Sequence, residues 1–243
     1  MPEVFGLQLT KFMVLELAAA VLLVLIFVPL GARIATGRPP RGLVWNLLEM
    51  MLVFIRDEVV RPAIGRPYAD RYLPLIWTVF FFVLFCNLAG MIPWAGSPTG
   101  ALGVTGALAV ITFCTVIGSG MAKFGVVGFW WGLVPHMDLS MVLGIPLKLM
   151  ILLIEIAGLG IKHSVLAVRL LANMFAGHLV LAVIITFIGA TASSYFVLWL
   201  GVTVGSVLAA VALSLLELFV AFLQAYIFAF LSALFIGMAV HQH

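Results

Sequence analysis

The sequence predicts an all-α integral membrane protein with about five membrane helices and one further helix at the cytoplasmic membrane interface. Three observations lead to this fold class. Hydrophobic residues make up 65% of the 243 residues and charged residues 9%, against about 45–50% and about 25% in soluble domains. Several apolar runs reach the roughly 20 residues that a helix needs to cross a bilayer. No stretch is polar enough for a separate soluble domain, so residues 1–243 are expected to form a single membrane domain.

Three apolar runs in the first half of the chain are long enough to span. They cover residues 12–32, 72–92 and 101–121. The first run has no basic start and no cleavage site of small residues, so it is interpreted as a retained span rather than a signal peptide. Residues 122–147 are mixed in polarity, with His136 and Asp138, and are expected to form a loop with a short or re-entrant piece.

A shorter apolar stretch lies between the first and second spans. Its apolar part is flanked by Arg41 and by the charged triplet 56–58, and it is too short to cross the hydrocarbon layer. A segment of this kind is better accommodated along the membrane surface or against another subunit. The sequence therefore predicts an interfacial helix over residues 42–64.

Two much longer apolar stretches fill the second half of the chain, at residues 146–190 and 194–239. A continuous helix over either range would be about 65–70 Å long at 1.5 Å per residue. That length is more than twice the roughly 30 Å of the hydrocarbon layer. Each helix must therefore tilt strongly, bend or break, and together they are expected to form a long, tilted hairpin.

Basic residues distinguish the two sides of the membrane. Seven of the twelve lysines and arginines lie between Arg33 and Arg71, and the connection 121–148 also carries lysine. The connections 93–100 and 189–195 carry neither residue type. Because Lys and Arg accumulate in cytoplasmic loops, the N-terminus is expected outside and the C-terminus in the cytoplasm. This rule accounts for the basic cluster, so nucleic acid is not an expected partner.

Arg169 is the one formal charge in the apolar run 165–190. A guanidinium stays protonated in proteins, and placing it at the middle of a membrane helix costs about 2.5–3.5 kcal/mol on insertion scales. A chain that keeps such a residue is expected to use it. The functional question is which negative partner the arginine faces.

Other polar residues share the face of Arg169 if the helix is continuous. The predicted stripe consists of Glu155, Lys162, Arg169 and Asn173. The first three are spaced seven apart, which is close to two full helical turns, and the fourth follows one turn on. Ala172 and Ala176 flank the stripe, and small residues let a neighbouring helix approach closely. The stripe is therefore expected to face another helix rather than lipid.

A second polar group is predicted on the opposite side. His178 follows Arg169 by nine residues, about half a turn away round the helix, and Glu217 and Gln224 are again seven apart. In an antiparallel hairpin His178 can meet Glu217 on one side while Arg169 meets Gln224 on another, with Tyr226 nearby. The pattern predicts two polar routes that each admit protons part-way and are kept apart by Arg169.

Each of these residues also has a plain structural explanation. A lone intramembrane histidine, asparagine or glutamine often forms a hydrogen bond between helices. A glutamate near a helix end can reach the interface, Lys162 can snorkel, and Arg169 can pair with a glutamate of the same chain. The repeated spacing of seven residues favours a joint function over several independent coincidences.

Three motifs resemble those of one family, subunit a of F-type ATP synthases. RLLANMFAGHLV, from Arg169 to Val180, resembles the family signature, and FVAFLQAYIFAFL, from Phe219 to Leu231, resembles the last helix. NLAGMIP, from Asn87 to Pro93, resembles the exit of the second span, and SPTGALGVT follows it as in the family. The motifs occur in the family order over nearly the whole chain.

The resemblance implies roles for particular residues around the arginine. Arg169 matches the arginine that faces the carboxylate of the rotating c-ring. Asn173 matches the asparagine one turn on, and Gln224 matches the glutamine opposite. Glu155 matches an acid at the mouth of the cytoplasmic half-channel.

The other half-channel is implied by the resemblance as well. His178 and Glu217 match its coupled pair, here with the histidine first, whereas some members carry the acid first. Lys162 is followed by His163, where many members have proline, so this chain adds a titratable group. Lys162, His163 and Tyr226 are therefore candidate half-channel or supporting residues.

The resemblance also implies the partners and the chemistry. The expected partners are the c-ring, the b-subunit of the peripheral stalk, membrane lipid and the translocated ion, most simply a proton but alternatively sodium. The expected location is the inner (plasma) membrane of a bacterium. No cofactor, metal site or covalent catalysis is implied. Without a phosphate-binding glycine loop, the chain is not expected to bind ATP.

Two other classes of protein remain open on the residues alone. A secondary transporter or ion channel would use the intramembrane Arg, His and Glu side chains as a midplane site, although no internal repeat is visible. An intramembrane serine protease would need the loop 117–120 as its nucleophile site. Isoleucine stands there where a glycine is wanted.

Overall fold

The computed structural model describes residues 3–4, 7–8, 11–35, 42–92, 98–133, 141–193 and 195–241. A two-stranded antiparallel ribbon, β1 (Glu3–Val4) and β2 (Leu7–Gln8), precedes the helices. Within the described ranges, five helices are long and apolar enough to cross a membrane. Apart from the short ribbon, the predicted all-α membrane fold is confirmed. Arg41, Pro93, His136 and Asp138 of the sequence interpretation lie outside the described residues.

The first long helix is followed by a helical segment where an interfacial helix was predicted. The elements are α1 (Lys11–Ala35), α2 (Leu43–Phe54), a π-helical stretch (Ile55–Val60) and α3 (Arg61–Ile64). The backbone N–H of Arg61 bonds to the carbonyl of Arg56, five residues back, in the wide π turn. Pro62 then lies in the first turn of α3, where its missing N–H is tolerated. The segment therefore passes the proline and ends only at Gly65.

The turn after α3 depends on glycine. Gly65 has a φ of 85°, a left-handed conformation that costs glycine little and other residues more. It leads directly into α4 (Arg66–Gly90). α4 begins at Arg66 rather than at residue 72, because Pro67 in its first turn has a φ that already fits a helix.

The next helix is longer than the predicted third span. A short 3₁₀ turn (Pro98–Gly100) leads into α5 (Leu102–Gly132). Gly125, with a φ of 76° and a ψ of 167°, redirects this helix, and helical residues continue on both sides of it. Residues 122–147 were expected to form a loop with a short or re-entrant piece. The helix instead continues past residue 122, and a short helical piece follows the redirection and ends at Gly132. The segment after the redirection is apolar and favours helix over loop.

The second half of the chain forms a long helical hairpin. α6 (Met141–Ala190) has 50 residues and α7 (Phe196–Val240) has 45. At 1.5 Å per residue they are about 75 and 68 Å long. Both exceed the roughly 30 Å hydrocarbon layer, so in a bilayer each must lie obliquely or extend beyond it.

The C-terminal half of α7 is held in the interior by its neighbours. The carbonyl of Ala63 lies directly against Gly237, where a Cβ atom would overlap with it. At the end of α7, Lys123 Nζ donates to the carbonyl of Val240 over 2.7 Å, and His241 Nε2 donates to the carbonyl of Ile64 over 2.8 Å. These contacts tie α7 to α3 and α5 and so set the height at which its polar residues meet α6.

Candidate ion-translocation site

Two contacts define how α6 and α7 face each other. Gln224 Nε2 donates to the backbone carbonyl of Arg169 over 3.3 Å. Further along the hairpin, the Glu217 carboxylate lies against Gly177, with Oε1 only 2.6 Å from where a Cβ would be. The structure therefore brings Arg169 next to Gln224 and Glu217 next to the residue that precedes His178.

Arg169 is half-buried, on a face with no partner of opposite charge within the described ranges. The guanidinium of Arg169 forms no ion pair within the described ranges, where the salt bridges join Asp57 to Arg56 and Arg61. The hydrogen bond from Gln224 goes to the backbone carbonyl of Arg169 and not to its guanidinium. Ala172 and Ala176, on the same side of α6, are exposed, so these small residues are not buried against α7. The described residues of this chain therefore leave the charge of Arg169 available to a group outside them.

His178 and Glu217, the predicted pair, lie near each other, but no hydrogen bond connects their side chains among the described residues. Glu217 is buried, and its Oε1 has no hydrogen-bond partner in the described part of the chain. The ring of His178 is exposed and forms no hydrogen bond to Glu217 among these residues. Because Gly177 has no side chain, the Glu217 carboxylate can lie against the backbone next to His178, while His178 itself remains exposed.

On the other side of Arg169, α6 carries the second group of polar residues. Glu155 is half-buried and Lys162 is exposed. His163 is buried, with Nδ1 2.8 Å from the carbonyl of Leu159. Since a carbonyl only accepts, Nδ1 carries the proton in this bond, and the buried Nε2 has no partner among the described residues.

The remaining candidate residues lie at the margins of the site. Asn173 is half-buried on α6, one turn beyond Arg169. Tyr226 faces away, because two residues turn a helix by about 200°. Its ring is 6.1 Å from that of Phe54 in α2 and stacks on Phe230 at 6.1 Å. Tyr226 therefore packs against Phe54 of α2 rather than beside Arg169.

The comparison with known proteins identifies the family. A family model described as ATP synthase A chain matches residues 13–237 of the sequence. The chain belongs to the ATP synthase A chain family. The resemblance predicted from the three motifs is thereby confirmed.

Bacterial members of the family are similar over nearly all of this chain. It is 42% identical to ATP synthase subunit a of Myxococcus xanthus strain DK1622, over 98% of this chain and 75% of that protein. Identity is 40% to subunit a of Anaeromyxobacter dehalogenans strain 2CP-C, over 96% and 58%, and 40% to subunit a 2 of Chlorobaculum tepidum, over 97% and 64%. The chain thus spans less than two thirds of the length of several relatives.

The polar face of α7 extends further than the sequence interpretation predicted, because that interpretation included Glu217 and Gln224 but not Ser206. Ser206, Glu217 and Gln224 are all buried. Ser206 precedes Glu217 by eleven residues, which is close to three full turns, so all three share one face. Thr203, one turn before Ser206, has a buried hydroxyl without a partner in the described part of the chain. The eleven-residue spacing between Ser206 and Glu217 is the sequence signal that would have predicted this shared face.

A second missed feature joins the family motifs to α7. The buried Asn87 donates from Nδ2 to the carbonyl of Ala221 over 3.2 Å, and its Oδ1 accepts from Thr99 Oγ1 over 2.9 Å. Asn87 lies in the last turn of α4, Thr99 lies in the 3₁₀ turn before α5, and Ala221 lies in α7 between Glu217 and Gln224. The motif NLAGMIP and the stretch that follows it thus hold the last helix in position.

The described residues offer no site for a metal ion. No group of three or more His, Cys, Asp or Glu side chains among them is arranged to hold one.

Proposed function

We propose that this chain conducts ions, most simply protons, through two half-channels at its contact with a ring of c-subunits. Ion flow through them would couple the transmembrane gradient to ring rotation and so to ATP synthesis elsewhere in the complex. The chain itself has no catalytic role and binds no ATP in this proposal. The observation that carries it is the half-buried Arg169, whose charge is unpaired among the described residues.

The order of polar residues along the hairpin supports two separate paths. Counting from the turn between α6 and α7, Ser206 comes first, then Glu217 beside Gly177, and then Gln224 beside Arg169. His163 and Glu155 lie beyond Arg169. Arg169 and Gln224 thus stand between one group of polar residues and the other, as a barrier between half-channels requires.

Unpartnered polar atoms occur on both sides of that barrier. Within the described residues, the buried polar side-chain atoms that lack a hydrogen bond are Thr203 Oγ1, Glu217 Oε1 and His163 Nε2. Buried polar groups are nearly always satisfied by protein or water. Internal water at these positions would satisfy them and would supply a proton path.

The proposed mechanism follows from electrostatics. A carboxylate of the ring keeps its proton while it faces lipid, because burial disfavours the ionised form. Beside Arg169 the ionised form is favoured, so the proton leaves into one half-channel. The carboxylate must regain a proton from the other half-channel before it can return to lipid. The gradient thereby sets the direction of rotation, and His178, whose imidazole can both accept and donate a proton, suits relay of the proton with Glu217.

The deciding experiment replaces Arg169 with alanine in the assembled complex. ATP synthesis driven by an imposed proton gradient should be abolished in membrane vesicles, and passive proton leak should rise because the barrier is gone. Arg71→Ala is the matched control, since Arg71 is an exposed arginine on α4 and not on either helix of the hairpin. Wild-type synthesis in Arg169→Ala, or equal loss in Arg71→Ala, would refute the proposal.

A second experiment tests the pairing of His178 with Glu217. If the two act as one proton-handling unit, exchanging them in a double variant should preserve more synthesis than either single change. A double variant no better than the worse single would rule out the pairing while leaving the role of Arg169 intact.

The proposed orientation places the C-terminus and the interfacial segment in the cytoplasm of a bacterium, with the complex in the inner membrane. The exposed face of α6 would meet the c-ring, and the b-subunits of the peripheral stalk would bind elsewhere on the chain. A secondary transporter is the alternative. Specific solute uptake by the purified chain alone would favour that alternative, and strict dependence on the ring would favour ours.

A further inference from the structure

A groove between α1, α2 and α4 takes no part in the proposed ion path. Its volume is about 450 Å³, within the range of roughly 300–1,000 Å³ that is usual for ligand sites. Its walls are almost entirely apolar, with Leu23, Phe27 and Ile34 on α1 and Trp77 and Phe81 on α4. A ligand that fills it must therefore be apolar over most of its length.

The shape of the groove matches one leaflet of a bilayer. Along α1 it runs from Leu23 to Ile34, which is about 16 Å at 1.5 Å per residue. Half of the hydrocarbon layer is about 15 Å thick. The groove thus has the length of an acyl chain that reaches from the headgroup level to the bilayer centre.

One end of the groove carries the features of the headgroup level. Arg33, next to Ile34, is exposed, and its guanidinium carbon lies 5.0 Å from the ring centre of Trp45 in α2. Trp77 also meets α2, where its Nε1 donates to the carbonyl of Leu52 over 3.0 Å. Tryptophan and arginine are enriched where membrane helices reach the interface. A cation at this end is complementary to a phosphate group.

We propose that this groove binds one acyl chain of an anionic phospholipid, with the lipid phosphate against Arg33. The binding goes beyond ordinary boundary lipid, because residues of three helices line the groove and one cation selects the headgroup. It does not depend on the ion path or on the orientation of the protein. The lipid would fix α1 to the interfacial segment from the outside.

Gly31 provides a sharp test. It lines the groove, and a Cβ atom placed on it would have no atom within 4 Å. Gly31→Leu should therefore fill the groove without disturbing the protein, and leucine also favours helix over glycine. Gly118→Leu is the matched control, because Gly118 is an exposed helical glycine in α5 with equally free space.

The experiment uses the assembled complex in phosphatidylcholine vesicles that contain a small amount of a photoreactive lipid. The probe carries a diazirine on its acyl chain and a phosphatidylglycerol or a phosphatidylcholine headgroup. After irradiation, mass spectrometry of peptides should find several-fold more label on α1 and α4 from phosphatidylglycerol. Gly31→Leu should lose this label, Gly118→Leu should keep it, and Arg33→Gln should make the two probes equal.

Several results would overturn the proposal. Equal labelling by both probes in the wild type would mean ordinary boundary lipid. Unchanged labelling in Gly31→Leu would place the lipid outside the groove. Absence of label from α1 and α4 would mean that a protein neighbour covers the site. Labelling is measured without ATP synthesis, so either proposal can fail without the other.

Discussion

α4 and α6 are both long apolar helices, but the fold buries them very differently. Over the most apolar part of each helix, 56% of α4 is buried inside the protein and 6% of α6. In α4 the apolar side chains build the interior. In α6 they are directed outward, so they must be covered by lipid or by another subunit. Hydropathy alone does not distinguish these two uses of the same residue types.

α7 combines both situations in one helix. In its C-terminal part Phe228, Ala233 and Ile236 are fully buried, whereas Val204, Leu208 and Val211 near its start are more than half exposed. Glu217 and Gln224 lie at the boundary between the packed and the exposed part. The proposed site thus occupies the place where a rigid interior meets a surface that a moving partner can pass.

The largest expected effect comes from disturbing the packed part of α7. Gly237→Ala places a Cβ against the carbonyl of Ala63, which is backbone and cannot move aside easily. Overpacking of this kind typically costs about 1–3 kcal/mol. We expect a marked loss of thermal stability of the assembled complex, together with poor assembly.

Gly205→Ala on the same helix supplies the contrast. A Cβ there meets no atom within 4 Å, and alanine favours helix over glycine by about 1 kcal/mol. Its thermal stability should equal or exceed that of the wild type. Equal destabilisation by the two variants would contradict the division of α7 into a packed and an exposed part.

Two asparagines extend the comparison to hydrogen bonds. Asn87→Ala removes the bonds to Ala221 and Thr99 in the interior, and unsatisfied buried groups cost about 1–3 kcal/mol. Asn173→Ala, on the half-buried face of α6, should leave thermal unfolding nearly unchanged and lower only proton-driven ATP synthesis. A stability loss in Asn173→Ala as large as in Asn87→Ala would show that α6 is packed more tightly than the structure indicates.

A smaller effect, on activity rather than on stability, is expected at Gly177. Gly177→Ala brings a Cβ within 2.6 Å of Glu217 Oε1, so the carboxylate must move and proton-driven synthesis should fall several-fold. Gly189→Ala, on the same helix with no atom within 4 Å, should remain near wild type. Shortening the acid in the double variant Gly177→Ala/Glu217→Asp should recover part of the activity, and failure to do so would argue against a steric cause.

The sequence predicted the membrane helices well because length and hydropathy determine them. The seven-residue spacing indicated several of the candidate residues, such as Arg169 and Gln224. It did not indicate that Gly177 or Ser206 belongs to the candidate site. Helices that are apolar all round have no amphipathic stripe to show which faces meet. The register between α6 and α7 depends instead on close contacts such as that of Glu217 with Gly177. The extension of α5 was missed because a redirection at one glycine, Gly125, leaves no mark in composition.

The smallest effect on stability is expected at the π-helical stretch Ile55–Val60, where the charged side chains are only partly shielded from water. Asp57 accepts hydrogen bonds from Arg56 at 3.0 Å and from Arg61 at 2.7 Å. These bonds, chiefly that from Arg56, lower the pKa of the Asp57 carboxyl. A lowered pKa in the folded state stabilises the fold above the ordinary carboxyl pKa, and the gain is lost as the pH falls through the lowered value.

Asp57→Asn should therefore lower thermal stability slightly at neutral pH and leave it unchanged at low pH, which flattens the acid side of the curve of thermal stability against pH. The change should be slight, because ion pairs between exposed side chains contribute little to stability. Glu58→Gln is the matched control, since Glu58 is exposed in the same turn and forms no ion pair within the described residues. If Glu58→Gln flattened the curve as much as Asp57→Asn, the acid dependence would come from net charge rather than from the contacts of Asp57 with its two arginines.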